Sequence, residues 1–106
     1  METVVFRVYT PRLPAFRLRP GEEGLSVFIP ELVDPPLTEA EVLHSFRPGS
    51  RVARVSVGRI EAQGLVLVTT SGAAVLPARL RASHAEISLG PHMARNRFKS
   101  ALKELE

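Results

Sequence analysis

The sequence predicts a small α+β domain. Short segments with period-two alternation recur along its 106 residues, Pro and Gly punctuate them, and one amphipathic helical pattern closes the chain. The length suits one domain, predicted over residues 1–106, with room for a single modest core. Hydrophobic residues at 44% and charged residues at 24% are ordinary for a globular chain.

Val4, Phe6 and Val8 alternate with Val5, Arg7 and Tyr9, which reads as a first strand ending before Pro11. Pro11, Pro14, Pro20 and Gly21 then break the chain into a loop with one short extended piece at 15–19. Leu25–Ile29 is a second strand stopped by Pro30. After the rigid turn Asp34-Pro35-Pro36, Thr38 and Glu41 have the spacing of a capping box, so a short helix is predicted to about Phe46 and is ended by Pro48-Gly49. Residues 52–60 alternate Ala53, Val55 and Val57 with Arg54, Ser56 and Gly58, a half-buried strand.

The continuous apolar run 65–69 predicts a strand buried on both faces. Ser71-Gly72 is a turn, and 73–76 is expected to add an edge strand limited by Pro77. The last strand spans 83–89, with His84, Glu86 and Ser88 on one face and Ala85, Ile87 and Leu89 on the other, closed by Gly90-Pro91. From about His92 the spacing of Ala94, Phe98, Ala101, Leu102 and Leu105 marks the terminal amphipathic helix. The predicted order is β-β-α-β-β-(β)-β-α.

The absence of cysteine excludes disulfides, thiolate metal sites and a thiol nucleophile. His44, His84 and His92 lack metal-ligand spacing among themselves, so no metal is expected. There is no phosphate-binding glycine loop, nucleophile elbow, zinc-protease motif or dinucleotide fingerprint. The N-terminal stretch Met1-Glu2-Thr3-Val4 lacks a basic segment followed by an apolar one, and no apolar run reaches the roughly 18 residues of a membrane span. A cytoplasmic protein that does not engage the membrane is the expectation.

The formal charge is +3, and twelve of the fourteen cations are arginine. Guanidinium groups suit bidentate recognition of phosphate or carboxylate, which admits an anionic partner. A solvated surface is the plainer reading of the same residues. Four polar residues inside apolar strands need explaining: Arg7, Ser26, His84 and Glu86. Cross-strand pairing, a small tolerated side chain and a hydrogen-bonded edge histidine would account for them structurally.

The segments Val5-Phe6-Arg7, Gly24-Leu25-Ser26-Val27-Phe28 and His84-Ala85-Glu86-Ile87, followed by a helix through Met93 and Phe98, carry a resemblance. In that order they resemble small bacterial toxin domains with an ADP-ribosyltransferase-like fold, including type VI secretion effector toxins of that class. The resemblance implies a split, mixed or antiparallel sheet with a short middle helix and the C-terminal amphipathic helix. It also implies NAD as cofactor and ADP-ribosyl transfer to an intracellular target. Arg7 would then hold a cofactor phosphate and Ser26 the ribose, with Arg17 and Arg19 adding phosphate contacts. Glu86 would stabilise the oxocarbenium-like sugar left when nicotinamide departs, and His84 would contact a ribose hydroxyl or carry a proton.

Two other readings stay open. One is a non-catalytic interaction module whose sheet edge or terminal helix binds a protein such as an immunity protein or antitoxin. The other is RNA binding by Arg79, Arg81, Arg95 and Arg97, with Phe16 or Tyr9 available for stacking.

Overall fold

The computed structural model describes residues 3–106; Met1 and Glu2, the head of the N-terminal stretch read above, lie outside the described residues. Strands β1 (Val4–Tyr9), β2 (Leu25–Phe28), β3 (Arg51–Ser56), β4 (Val66–Thr69) and β5 (His84–Ser88) form one sheet in the order β3-β1-β2-β5-β4. Every neighbouring pair of strands among the described residues is antiparallel, which narrows the expected mixed or antiparallel sheet to the second kind. Helices α1 (Glu39–His44), α2 (Val57–Ala62), α3 (Ala78–Ser83) and α4 (Arg95–Lys103) cover its two faces.

Strand alternation divides the core. Val5, Val27, Val55, Ala85 and Ile87 project to one side and pack with Ile60 of α2 and with Phe98, Ala101 and Leu102 of α4. Phe6 and Phe28 project to the other side and meet Val42 of α1 and Leu80 of α3. Phe98, Ala101 and Leu102 of α4 are buried, with Leu105 just beyond it, as the spacing predicts, but the helix begins at Arg95 and not near His92, so Met93 and the exposed Ala94 precede it.

Local chemistry explains where the elements begin. The Thr38 hydroxyl accepts from the Glu41 backbone N–H at 3.1 Å, so the expected capping box starts α1, which ends at His44, slightly before Phe46. The Glu41 carboxylate reaches Arg79 on α3, tying the two helices together. Hydrogen bonding by Arg79 is the main reason this carboxyl lies below its usual range; burial opposes it, while the Arg79 charge and the Thr38 backbone lower it further. A depressed folded-state value stabilises the fold above the ordinary carboxylate range, and that contribution is lost as pH falls through the depressed value. The stability gap between wild type and Glu41→Gln should therefore close on acidification. Urea midpoints across pH would check this, and a gap that does not change with pH would count against the pair.

Three expectations are corrected. The strand predicted over 52–60 ends at Ser56, whose hydroxyl accepts from the Arg59 backbone N–H at 3.1 Å and caps α2. Val57 continues the strand alternation, whereas Ile60, three residues on, fits helical spacing, and the Ser56 cap starts the helix between them. The 65–69 run is not buried on both faces: β4 pairs only with β5 and is a sheet edge, leaving Val68 45% exposed.

Residues 73–76 form no strand. The Leu76 N–H bonds the Ala73 carbonyl at 2.9 Å, and Arg81 Nη1 donates to the Ala74 and Leu76 carbonyls. Pro77 instead leads into α3, a six-residue helix with Leu80 as its large buried side chain, too short to show a periodic pattern. The piece at 15–19 opens on a turn at Ala15-Phe16, and Phe16 is buried in the core. Near the start of the α4 approach, Gly90 lies so close to the Gly64 carbonyl oxygen that a Cβ would stand 2.1 Å from it. Only glycine admits that crossing. No helix among the described residues is long and apolar enough to cross a membrane.

Candidate functional site

The sheet is continuous on both sides of its centre and incomplete at its centre. Strand β1 pairs with β3 along six positions, and β2 pairs with β5 along four, but β1 and β2 pair only at Phe6 and Phe28. Beyond that point they diverge. The loop between them, through Ala15 and Phe16, folds back against this opening.

Arg7 occupies the split. By register its Cβ starts on the face of Val5 and Val27, whereas Ser26, His84 and Glu86 share the opposite face with Phe6 and Phe28. The separated strands let the guanidinium reach between them. Its Nη1 donates to the Ser26 carbonyl at 2.9 Å and its Nε to the Ala15 carbonyl at 2.8 Å. The side chain thereby supplies donors where a neighbouring strand would have supplied backbone N–H groups. Burial lowers the Arg7 pKa from its ordinary value, Glu22 opposes that shift, and the nearby Arg19 charge adds to it. A guanidinium so far above neutrality nonetheless keeps its charge.

Two hollows meet along this split. The first is a groove of about 540 Å³ whose cations are Arg7, Arg12, Arg17, Arg19 and Arg47, with Glu22 as its carboxylate. Tyr9 and Phe46 also line it. The second, about 550 Å³, shares Arg7, Val8, Ser26 and Phe46 with the first and continues over His84, Glu86 and Leu76. Arg7, Ser26, His84 and Glu86 thus border one continuous depression, with Arg17 and Arg19 at its cationic end.

The individual environments differ. His84 is only 9% exposed: its Nδ1 lies 2.9 Å from Thr70 Oγ1, and its ring stands edge-on to Phe28 at 5.6 Å between centroids. A ligand contact by this ring would fall to Nε2, since Nδ1 is occupied. Glu86 lies opposite Ser26 on β2 and Val68 on β4, and its carboxylate passes over Gly24, where a Cβ would stand 2.6 Å from Oε2. Gly24 is what gives that carboxylate its space. Arg17 and Arg19 are exposed, and the loop carrying them is pinned where Glu22 Oε1 accepts from the Arg19 backbone N–H at 2.5 Å.

The arginines first considered for RNA do not form one surface. Arg79 and Arg81 belong to α3, on the Phe28 side of the sheet, while Arg95 and Arg97 belong to α4, on the Val27 side. Arg79 is engaged by Glu41 and the Pro35 carbonyl, and Phe16 is only 4% exposed and unavailable for stacking. The groove cations overlooked in sequence were Arg12 and Arg47. For Arg12 alone a run of charge was legible, because the chain from Thr3 to Gly21 holds four arginines and no carboxylate.

Fold and site together define an α+β domain with an arginine-lined groove in a split antiparallel sheet. No family model matches the chain, and neither the curated proteins nor the solved structures contain a significant match to it. Among the described residues no group of three or more His, Asp or Glu side chains is placed to hold a metal ion.

Proposed function

We propose that the groove binds a phosphate-bearing nucleotide, with NAD or its ADP-ribose portion as the ligand to test first. The observation that carries this reading is the gathering of five arginines around one groove against a single carboxylate. Arg7 is held by two carbonyls and so presents its remaining N–H donors at little entropic cost, while Arg17 and Arg19 supply outer phosphate contacts. A ribose carried beyond the phosphates would lie over Ser26 and approach Glu86.

The second reading, ADP-ribosyl transfer by a toxin-like domain, adds a chemical role for Glu86. Its carboxylate borders the same depression as Arg7 and Ser26, where it would stabilise positive charge on a ribose losing nicotinamide. Release of nicotinamide from NAD, abolished in Glu86→Gln, would support this role; none from a folded protein that binds NAD would remove it.

Calorimetry with ADP-ribose tests the primary reading. Arg17→Ala and Arg19→Ala should each weaken binding by about tenfold, the loss expected when a charged hydrogen bond worth about 1.5 kcal/mol is removed. Arg97→Ala, outside the groove, should bind as wild type. Absence of binding at millimolar ligand, or equal loss in Arg97→Ala, would overturn the nucleotide site and favour an interaction module whose partner is an immunity protein or antitoxin.

A further inference from the structure

We propose that the arginine groove is one end of a longer cationic track that holds a single strand of nucleic acid. The proposal rests on the phosphate-site reading for its Arg7 end and extends it to a polymeric ligand.

A third hollow, about 270 Å³, lies between the Phe16–Leu18 segment and α4, with Lys99 and Lys103 on its rim. Arg17 lines both this hollow and the arginine groove, so the two run together. Glu106 anchors the junction, its Oε1 accepting from the Phe16 backbone N–H at 3.2 Å. The track therefore passes from α4, across the loop, to Arg47 beyond α1. Its components are far apart in sequence and are gathered only by folding.

The distribution of charge is uneven. Among the described residues the two hollows carry seven of the fourteen Lys and Arg residues but only Glu22 and Glu106 of the acidic ones. The other seven cations are outnumbered by eight described carboxylates. The positive formal charge of the chain thus originates in this track. This cluster of cations follows a groove, which favours an extended polyanion over a diffuse ion atmosphere.

A dinucleotide carries its phosphates together and would leave the Lys99 and Lys103 end unused. A repeating phosphate backbone would engage both ends. Tyr9 and Phe46 also line the arginine end, where exposed bases of a single strand can stack; an acidic polypeptide would satisfy the cations without using these rings.

The test is fluorescence anisotropy with a labelled single-stranded RNA of about ten nucleotides. Binding should weaken steeply with salt, at about −0.7 in log–log slope for each phosphate neutralised. The double variant Lys99→Glu/Lys103→Glu should lose at least about tenfold in RNA affinity and show a shallower slope, while its calorimetric affinity for ADP-ribose stays at the wild-type value. Arg97→Glu is the control, since Arg97 lies about 200° around α4 from Lys99. Circular dichroism would establish that each variant is folded.

Retained RNA binding without ADP-ribose binding would support the track while removing the dinucleotide reading. The proposal is overturned by no RNA binding at low salt, or by equal losses in the lysine variant and Arg97→Glu. Displacement by polyglutamate as effective as displacement by RNA would also overturn it, and would make an acidic protein the occupant.

Discussion

Phe98→Ala is expected to destabilise the fold by about 3–5 kcal/mol, the usual cost of deleting a fully buried phenyl ring and leaving a cavity. Phe98 is 0% exposed and packs in the larger core cluster, which also contains Leu102 and Leu105 of the terminal segment and Val27 and Ile87 of the sheet. Beside this packing, helix α4 is tied by exposed bonds from Arg95 to the Glu22 carbonyl and from Arg59 to the Glu104 carbonyl. It spans nine residues and its N-cap, Ala94, makes no side-chain capping bond, so packing rather than intrinsic helicity keeps it formed.

Urea denaturation provides the measurement. With a slope of about 1–3 kcal/mol per molar urea, the midpoint should fall by about 1 M or more. Equal midpoints would show that α4 does not pack as described. The effect should reach the candidate site because Lys99 and Lys103 ride on α4 and the Phe16 backbone is bonded to Glu106 just beyond it.

Arg7→Ala is expected to affect both stability and binding. It removes two donors, leaving the Ser26 and Ala15 carbonyls without those partners beside the gap in the sheet. Because the site is half-buried, water can compensate in part, and a net cost of about 2 kcal/mol is expected. Binding of ADP-ribose, measured where the variant is fully folded, should fall by more than the roughly tenfold loss expected for Arg19→Ala.

Arg7→Lys separates charge from geometry. It preserves a cation but lacks the planar fork that reaches two carbonyls and a ligand together, so it should recover only part of the affinity and little of the stability. Wild-type thermal stability in Arg7→Ala would show that the guanidinium does not bridge the split. Full recovery of binding in Arg7→Lys would show that only charge is required.

The candidate site was partly legible before folding was considered. Arg7, Ser26, His84 and Glu86 stood out because each interrupts an apolar strand, and the structure places all four along one depression. Their differences were not legible. That His84 spends Nδ1 on Thr70, while Glu86 lies over Gly24, depends on the β2–β5 register and on which residues face it from the neighbouring loop. Arg12 and Arg47 were missed for a related reason: a loop arginine carries no local mark of the groove it will line.

Local patterns by themselves determined the α+β class, the cores of β1, β2 and β5, the capped start of α1 and the buried stripe of α4. Each depends on alternation, helical spacing or capping within a few residues. Tertiary structure alone decided that β4 is an edge and that 73–76 does not extend the sheet. These depend on which neighbour supplies hydrogen bonds and which face finds cover, and short apolar runs suit more than one answer. The split at Arg7 belongs to the same class: the sequence places an arginine on a strand, but only the divergence of β1 from β2 converts it into the link between their separated backbones.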